Sequence, residues 1–525
     1  MRSAPGPARP RPRPGARATL VLLLSCLLSA GLVAAGAGRP AAAADVDVRV
    51  TSDRVPSGSG ADAVELDTSL FVPSTATART PAPAVLLAHG FGGSKESVAG
   101  DARDLARRGY VVQTWSARGF GRSTGQIGLD DPRFEVADAS TLIDRLARRD
   151  DVVQDAPGDP RVGVAGASYG GALALLAAAY DHRVDAIAPE ITWNSLTSAL
   201  FPDQAGTVPG GTTVAATPAT DGAGVFKRLW AGLFFSSGAA PSAGGALGAL
   251  TGAAPAAAQS GGSAEALTCG RFRADICAAY QSAASTGTLT PEVAAVLDRS
   301  SPAGVLDRIK APTLLVQGTQ DSLFGLGQAD ANARGIAAAG TPVSVAWYAG
   351  GHDQSATAAQ TAQLRATLAG FFDARLRGRH GTAPAGFSFP EPAGVTLGTT
   401  DGESRTVSAR AYPGLAGDDP ARRRDVPLSG PAQPVVTPAG GSPAALTTVP
   451  GLGALSSALG GSTLEVPGQS AAFTSSPLGS AVDVVGAPTV SLAVSSPTGA
   501  VTLFAKTYDV ASLSLIHISE PTRPY

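Results

Sequence analysis

Residues 161–180 constrain the fold more than any other part of this 525-residue chain. A short apolar run suits a buried strand, the turn Gly166-Ala-Ser-Tyr-Gly170 follows it, and an Ala- and Leu-rich stretch of strong helix formers comes next. Such a sharp turn leaves no room for a Cβ atom at Gly166 or Gly170, and it places the Ser168 hydroxyl at a helix N-terminus. The pattern predicts a nucleophile elbow, and the alternative is a glycine-rich turn without a catalytic role.

The regions around this segment alternate between strand and helix patterns. Apolar runs predict five further strands, at residues 84–88, 110–115, 184–191, 312–317 and 342–348. Helical patterns lie between or after them, at residues 101–108, 137–149 and 360–377. This alternation is typical of a mostly parallel, doubly wound sheet. Together with the elbow it predicts an α/β-hydrolase catalytic domain over residues 45–380.

Two later regions depart from this rhythm. Residues 194–305 include a long Gly-, Ala-, Ser- and Pro-rich stretch and are predicted to form a cap insertion. Residues 381–510 are rich in Pro, Gly, Thr and Val, with alternating runs at 488–494 and 501–505, and are predicted to form a separate, incomplete all-β domain. Residues 511–525 break this pattern and are expected to be an artefactual tail without function.

The N-terminus has the features of an export signal. Several arginines precede an apolar stretch at residues 20–35, and Ala42-Ala-Ala44 offers a cleavage site. This predicts a signal peptide over residues 1–44 and a secreted, extracellular protein that begins at Asp45. The alternative is that the apolar stretch remains as a membrane anchor, which is the one route to a membrane contact.

Composition limits the remaining function classes. Hydrophobic residues make up 44% of the chain and charged residues 16%, as in a globular protein, and the net charge is −2. Without a basic stripe, nucleic-acid binding is not expected. No metal-ligand spacing occurs, so neither a metal nor another cofactor is expected. The pattern does not indicate an oligomeric state.

Cys269 and Cys277 are the two cysteines beyond the predicted signal peptide. An oxidising compartment favours a disulfide between them, and the alternative is two buried free thiols. Eight residues of continuous helix would separate them by about 12 Å, which is too far for a bridge. A disulfide therefore requires a turn near Gly270 or Phe272.

A serine nucleophile needs a histidine base and an orienting carboxylate, each on a loop after a strand and in the chain order Ser, acid, His. Of the five histidines, His352 follows the strand at 342–348 and is the predicted base. Asp321 directly follows the strand at 312–317 and is the predicted acid. The alternative for each is an ordinary polar side chain on a surface loop.

The reaction also needs an oxyanion hole, which holds the negative charge of the tetrahedral intermediate. One donor is predicted to be the N–H of Tyr169, the residue after the nucleophile. The second is predicted to be the N–H of Phe91, in the loop after the strand at 84–88. The alternative is that this glycine-rich loop is only a turn.

Several motifs together resemble a known family. They are the elbow, the segment Trp115-Ser-Ala-Arg-Gly-Phe-Gly-Arg-Ser-Thr-Gly125 and the loops at 318–321 and 350–352. They are similar to the X-Pro dipeptidyl-peptidase (peptidase S15) and cocaine-esterase-like serine hydrolases, whose fold is the α/β-hydrolase fold. Residues 480–495 and 506–510 resemble that family's C-terminal jelly-roll (galactose-binding-like) domain. The resemblance implies cleavage of esters or of the bond after an Xaa-Pro dipeptide.

These observations predict an exported serine hydrolase that acts through an acyl-enzyme on a small ester or peptide substrate. A second hypothesis is a secreted, non-catalytic binding or scaffold protein that retains the hydrolase fold. The correct chain order of Ser168, Asp321 and His352 favours the enzyme.

Overall fold

The fold is taken from a computed structural model of the chain. The structure describes residues 46–203, 224–239, 269–392, 404–415, 424–437 and most of 468–510. The predictions for residues 1–44 and 511–525 lie outside these ranges. Within the described ranges, no helix is both long enough and apolar enough to cross a bilayer.

The described residues contain twelve strands, ten of which form one large sheet. The strands are β1 Val48–Ser57, β2 Val64–Pro73, β3 Ala84–Ala88, β4 Val111–Trp115, β5 Gln154–Ala156, β6 Asp159–Pro160, β7 Val162–Ala167, β8 Val184–Glu190, β9 Thr313–Gly318, β10 Val343–Tyr348, β11 Phe387–Pro392 and β12 Ser404–Ala409. The sheet order is β1-β2-β4-β3-β7-β8-β9-β10-β11-β12, and β5 and β6 form a small hairpin. Pairing is parallel from β4 to β11 and antiparallel in β1–β2, β2–β4 and β11–β12. The predicted mostly parallel sheet is therefore confirmed.

Nine α-helices connect or cover these strands within the described residues. They are α1 Ala99–Arg107, α2 Ala137–Ala147, α3 Tyr169–Tyr180, α4 Leu196–Leu200, α5 Arg228–Ala239, α6 Ala274–Thr286, α7 Pro291–Arg299, α8 Leu326–Ala338 and α9 Ala358–Leu376. Single helical turns lie at Gly60–Asp62, Pro132–Val136, Pro302–Gly304, Leu306–Arg308 and His380–Thr382. The helices α4 to α7 fall within the predicted cap region.

Apolar packing fixes the centre of the sheet. Every residue of α3 except Tyr180 is buried, as expected of a helix that is apolar on all sides. On β7, a Cβ atom at Gly163 would lie 2.6 Å from the Phe372 ring of α9. This close contact seats α9 directly on the strand that leads to Ser168.

The sheet continues past residue 380, where the sequence pattern predicts a domain boundary. β11 pairs in parallel with β10, and Phe387 packs edge-on against Trp347 at 5.0 Å between ring centroids. The predicted boundary is therefore too early, because strand pairing over a long connection leaves no local sequence signal. The described parts of 424–437 and 468–510 contain isolated bridges, such as Ser429 with Thr474, but no strand. The jelly-roll domain is not confirmed there.

Candidate active site

The turn between β7 and α3 holds Ser168 in an unusual conformation. Its φ is 56° and its ψ is −116°, in a region that residues other than glycine rarely adopt. Its N–H donates to the Glu190 carbonyl at 2.8 Å. Cβ atoms at Gly166 and Gly170 would lie 2.7 and 2.6 Å from the Ala88 carbonyl oxygen. Such strain costs about 1–3 kcal/mol and persists where the surrounding structure imposes it, often to present a functional group.

The close approach at Gly170 gives the first testable prediction. We expect Gly170→Ala to lower the free energy of unfolding by about 2 kcal/mol, because the added methyl group pushes α3 away from β3. Urea unfolding measures this loss. The control is Gly100→Ala in α1, where a Cβ atom meets nothing within 4 Å. That variant should gain up to about 1 kcal/mol from helix propensity, so equal losses in both would contradict the steric argument.

Ser168, His352 and Asp321 lie together at the carboxyl edge of the sheet. Ser168 Oγ is 2.9 Å from His352 Nε2, and His352 Nδ1 is 2.6 Å from Asp321 Oδ2. These distances allow Nε2 to accept the hydroxyl proton while Nδ1–H donates to the carboxylate. The three predicted residues thus have the geometry of a nucleophile, a base and an orienting acid.

The Asp321 carboxylate is fully buried and saturated with donors. Its side chain is 0% exposed, against 12% for His352. Oδ1 accepts from the N–H groups of Leu323 and Phe324 at 3.1 and 2.8 Å, and Oδ2 also accepts from the His352 N–H at 3.2 Å. A Cβ atom at Gly351 would lie 2.5 Å from the Gln320 carbonyl oxygen, so glycine lets the loops after β9 and β10 touch.

The two predicted oxyanion donors come from adjacent loops. Tyr169 is the first residue of α3, so its N–H has no carbonyl one turn earlier in the helix to bind. The loop of Phe91 backs onto the elbow, since a Cβ atom at Gly90 would lie 3.8 Å from Ser168 Cβ. The Phe91 and Tyr169 rings meet edge-on with 5.6 Å between centroids.

A buried histidine, for which the sequence pattern indicates no role, fixes the Phe91 loop. His89 Nδ1–H donates to the Gly90 carbonyl at 2.7 Å, and Nε2 accepts from the Ala117 N–H at 2.9 Å. Burial lowers the pKa of His89 to about 4, with smaller opposing effects of Gly90 and Glu96. His89 is therefore neutral at physiological pH and binds the backbone through both ring nitrogens.

Two buried carboxyl groups lie behind Tyr169. The Tyr169 hydroxyl oxygen accepts from the Asp130 N–H at 3.2 Å, and Glu135 Oε1 accepts from the Gly128 N–H at 2.6 Å. Asp130 is 0% exposed, and neither of its carboxyl oxygens has a hydrogen-bond partner among the described residues. Burial first, and then Glu135, raises the pKa of Asp130 well above its usual value. Burial likewise raises the pKa of Glu135 to about 7.

These shifts predict a pH-dependent stability. The folded chain holds a proton on Asp130 more tightly than the unfolded chain does. The contribution of Asp130 to the free energy of unfolding is therefore fully present below the pKa of Asp130 in the unfolded chain. It falls as the pH rises toward the pKa of Asp130 in the folded chain. We expect Asp130→Asn to remove this fall, so that its stability relative to the wild type improves as the pH rises above the ordinary carboxyl pKa of about 4. Urea unfolding at several pH values measures the difference.

The neighbouring Asp131 provides a control of opposite sign. Burial alone would raise the pKa of Asp131, but hydrogen bonds from Arg133 and Arg299 outweigh it and lower that pKa. Asp131→Asn should therefore lose stability near neutral pH, where the ion pairs are intact. Parallel pH profiles for the Asp130 variant and the wild type would contradict the assignment.

A disulfide joins Cys269 and Cys277, whose Cα atoms are 5.4 Å apart. Gly270, with φ 56°, supplies the required turn. Phe272 in this loop stacks on the Phe91 ring at 5.9 Å between centroids. The disulfide loop and the Phe91 loop therefore belong to one aromatic cluster beside Ser168.

Glu190, at the end of β8, is a further ionisable group near His352. The sequence did not single it out. Burial raises its pKa to about 7, Asp101 adds to this effect, and His352 opposes it. Its charge therefore changes near neutral pH, within electrostatic reach of His352. Among the described residues, no cluster of three or more His, Cys, Asp or Glu side chains is arranged to hold a metal ion.

The chain matches a known protein family over residues that include Ser168 and Asp321. The family model for the X-Pro dipeptidyl-peptidase (S15 family) matches residues 62–340, just over half of the chain. An uncharacterized 31.7 kDa protein in the traX-finO intergenic region of Escherichia coli is 30% identical over 112 residues, which cover 21% of this chain and 37% of that protein.

Solved structures with a similar fold include two hydrolases. One is the acylaminoacyl peptidase of Pyrococcus horikoshii, with 15% identity, a TM-score of 0.39, and coverage of 63% of this chain and 42% of that one. Another is acetyl xylan esterase 1 of Thermoanaerobacterium, with 18% identity, a TM-score of 0.36, and coverage of 61% and 87%. The chain thus covers less than half the length of the E. coli protein and less than half that of the Pyrococcus peptidase.

Proposed function

The chain belongs to the X-Pro dipeptidyl-peptidase (S15) family of serine hydrolases, and from this we propose that Ser168, His352 and Asp321 are its catalytic triad. One observation carries the proposal: Ser168 Oγ, both ring nitrogens of His352 and the Asp321 carboxylate form a continuous hydrogen-bonded chain. The substrate is an acyl ester or a peptide that is cleaved after an Xaa-Pro dipeptide.

The geometry suits a two-step acyl transfer. Ser168 Oγ attacks the substrate carbonyl while His352 Nε2 takes the hydroxyl proton, and Asp321 stabilises the resulting imidazolium. The N–H groups of Tyr169 and Phe91 bind the oxyanion, each contributing about 3 kcal/mol to the transition state. His352 then gives the proton to the leaving alcohol or amine. Water, activated by the same base, releases the acyl group.

The test uses one covalent probe and two substrates on the full chain. A fluorophosphonate should label Ser168, as located by peptide mass mapping. Turnover of a short-chain nitrophenyl ester and of an Ala-Pro anilide then decides between the two substrate classes. Labelling at another residue would overturn the proposal. So would a protein that is not labelled and turns over neither substrate.

We also propose that the protein acts outside the cytoplasm. The Arg-rich and apolar start of the chain supports export, and so does the Cys269–Cys277 disulfide, because disulfides persist in oxidising compartments. N-terminal sequencing of protein recovered from the culture medium should begin at Asp45. Protein that is found only in the cytosol, with residues 1–44 intact, would contradict export.

We propose, finally, that residues after β12 belong to a jelly-roll-like β domain. The alternating runs at 488–494 and 501–505 and the resemblance of 480–495 support this. Limited proteolysis should then yield a stable fragment that begins beyond residue 415. Rapid degradation of this whole region would contradict the proposal.

A further inference from the structure

The cap helix α5 holds the loop that carries Asp321. Lys227, directly before α5, donates from Nζ to the carbonyl oxygens of Ser322 and Leu323 at 2.6 and 2.8 Å. Trp230, three residues further on, donates from Nε1 to Ser322 Oγ at 3.2 Å. The two residues that follow the catalytic acid are therefore bound by two side chains of the cap.

The same helix also reaches the base. Trp230 is 1% exposed, and its ring meets the His352 imidazole edge-on with 6.0 Å between centroids. Asp353, next to His352, accepts hydrogen bonds from the hydroxyl and the N–H of Ser322, the former at 2.7 Å. The acid loop and the base loop thus meet at Ser322, where Trp230 also binds.

We propose, on the basis of the catalytic triad assigned above, that Lys227 and Trp230 are positioning residues that fix the Asp321 and His352 loops from the cap side. The helix α5 is then a support of the triad as well as a cover over it. A displacement of the acid by about 1 Å is enough to slow catalysis strongly, so contacts of this kind act on kcat.

The charge of Lys227 strengthens these contacts. Hydrogen bonds from an ammonium group are charge-assisted and stronger than those from a neutral amine. The charged groups that face Lys227 from the neighbouring loops are Asp321 and Asp353, while Arg228 on α5 donates instead to the Ala284 carbonyl at 2.6 Å. Burial lowers the pKa of Lys227 to about 8, against the effect of the two carboxylates. The hydrogen bonds from Lys227 to the Ser322 and Leu323 carbonyl oxygens therefore weaken as the pH rises through this value.

The experiment compares Lys227→Met and Lys227→Arg with Arg228→Met, a matched control at the adjacent cation. With the nitrophenyl ester, Lys227→Met should lower kcat about tenfold while KM stays within about twofold. The Arg228 variant should match the wild type. Wild-type kcat should fall above about pH 8, whereas Lys227→Arg should retain most of the activity and stay flat to about pH 9.5, because a guanidinium remains charged.

Trp230→Phe keeps a ring beside His352 and removes only the Nε1 hydrogen bond, so it should lower kcat about threefold. This variant and Lys227→Arg decide the question even if Lys227→Met does not fold. Fluorophosphonate labelling separates the two proposals, because an unlabelled wild type refutes the triad. If Ser168 is labelled, two results would refute the positioning role alone. One is a kcat equal to that of the wild type in both Lys227→Met and Trp230→Phe. The other is a fall of kcat at alkaline pH in Lys227→Arg that is the same as in the wild type.

Discussion

Ser168→Ala is expected to lower kcat on a nitrophenyl ester by about 10⁵- to 10⁶-fold and to abolish fluorophosphonate labelling. The reason is that no other hydroxyl lies at the tip of the turn. The backbone of Ser168, with a φ of 56°, directs its Oγ toward His352 Nε2. The measurement is steady-state turnover beside labelling of both proteins at equal concentration. Circular dichroism should show the same fold for both.

Ser285→Ala is the matched control for this result. Ser285 is an exposed serine of α6 whose hydroxyl donates to the Ser282 carbonyl, away from the triad. It should turn over the ester at the wild-type rate. Residual activity of Ser168→Ala above about 1% of wild type would assign the nucleophile to another residue.

Asp321→Asn is the second large effect, with an expected loss in kcat of about 10⁴-fold. The carboxylate accepts from His352 Nδ1, whereas an amide can present its NH₂ group there and favour the wrong imidazole tautomer. Nε2 would then carry the proton and could not accept one from Ser168. The loss should appear in kcat with little change in KM, and in slower labelling of Ser168.

Asp307→Asn is the control for this variant. Asp307 is an exposed carboxylate between the serine and the histidine in the chain, in the single turn Leu306–Arg308. Its removal should leave turnover unchanged. An Asp321 variant with more than about a tenth of the wild-type kcat would mean that another carboxylate, such as Glu190, orients the base.

Local sequence patterns were sufficient to single out the three residues of the proposed triad, which the structure brings together. Each lies directly after a parallel strand, and the carboxyl ends of such strands meet at one edge of the sheet. Ser168 and Asp321 follow apolar runs that form β7 and β9, the two strands on either side of β8. Chain order therefore predicted their convergence.

The residues that the sequence did not reveal act through tertiary contacts. Lys227 and Trp230 stand in a region without periodicity, so nothing in their surroundings indicated a partner some 90 residues later. Asp130 and Glu135 look like ordinary loop and helix acids until the structure shows them buried. Whether a polar side chain is desolvated depends on which distant elements cover it, and no local pattern encodes that.

The pairing of β11 with β10 has a practical consequence for dissecting the molecule. Phe387 and Tyr412 close the end of the sheet over Trp347, on the strand that leads to the base. A truncation after residue 380 would uncover this indole and a row of unpaired amides, and such an edge invites aggregation. An expression fragment that keeps this edge covered should run to residue 415.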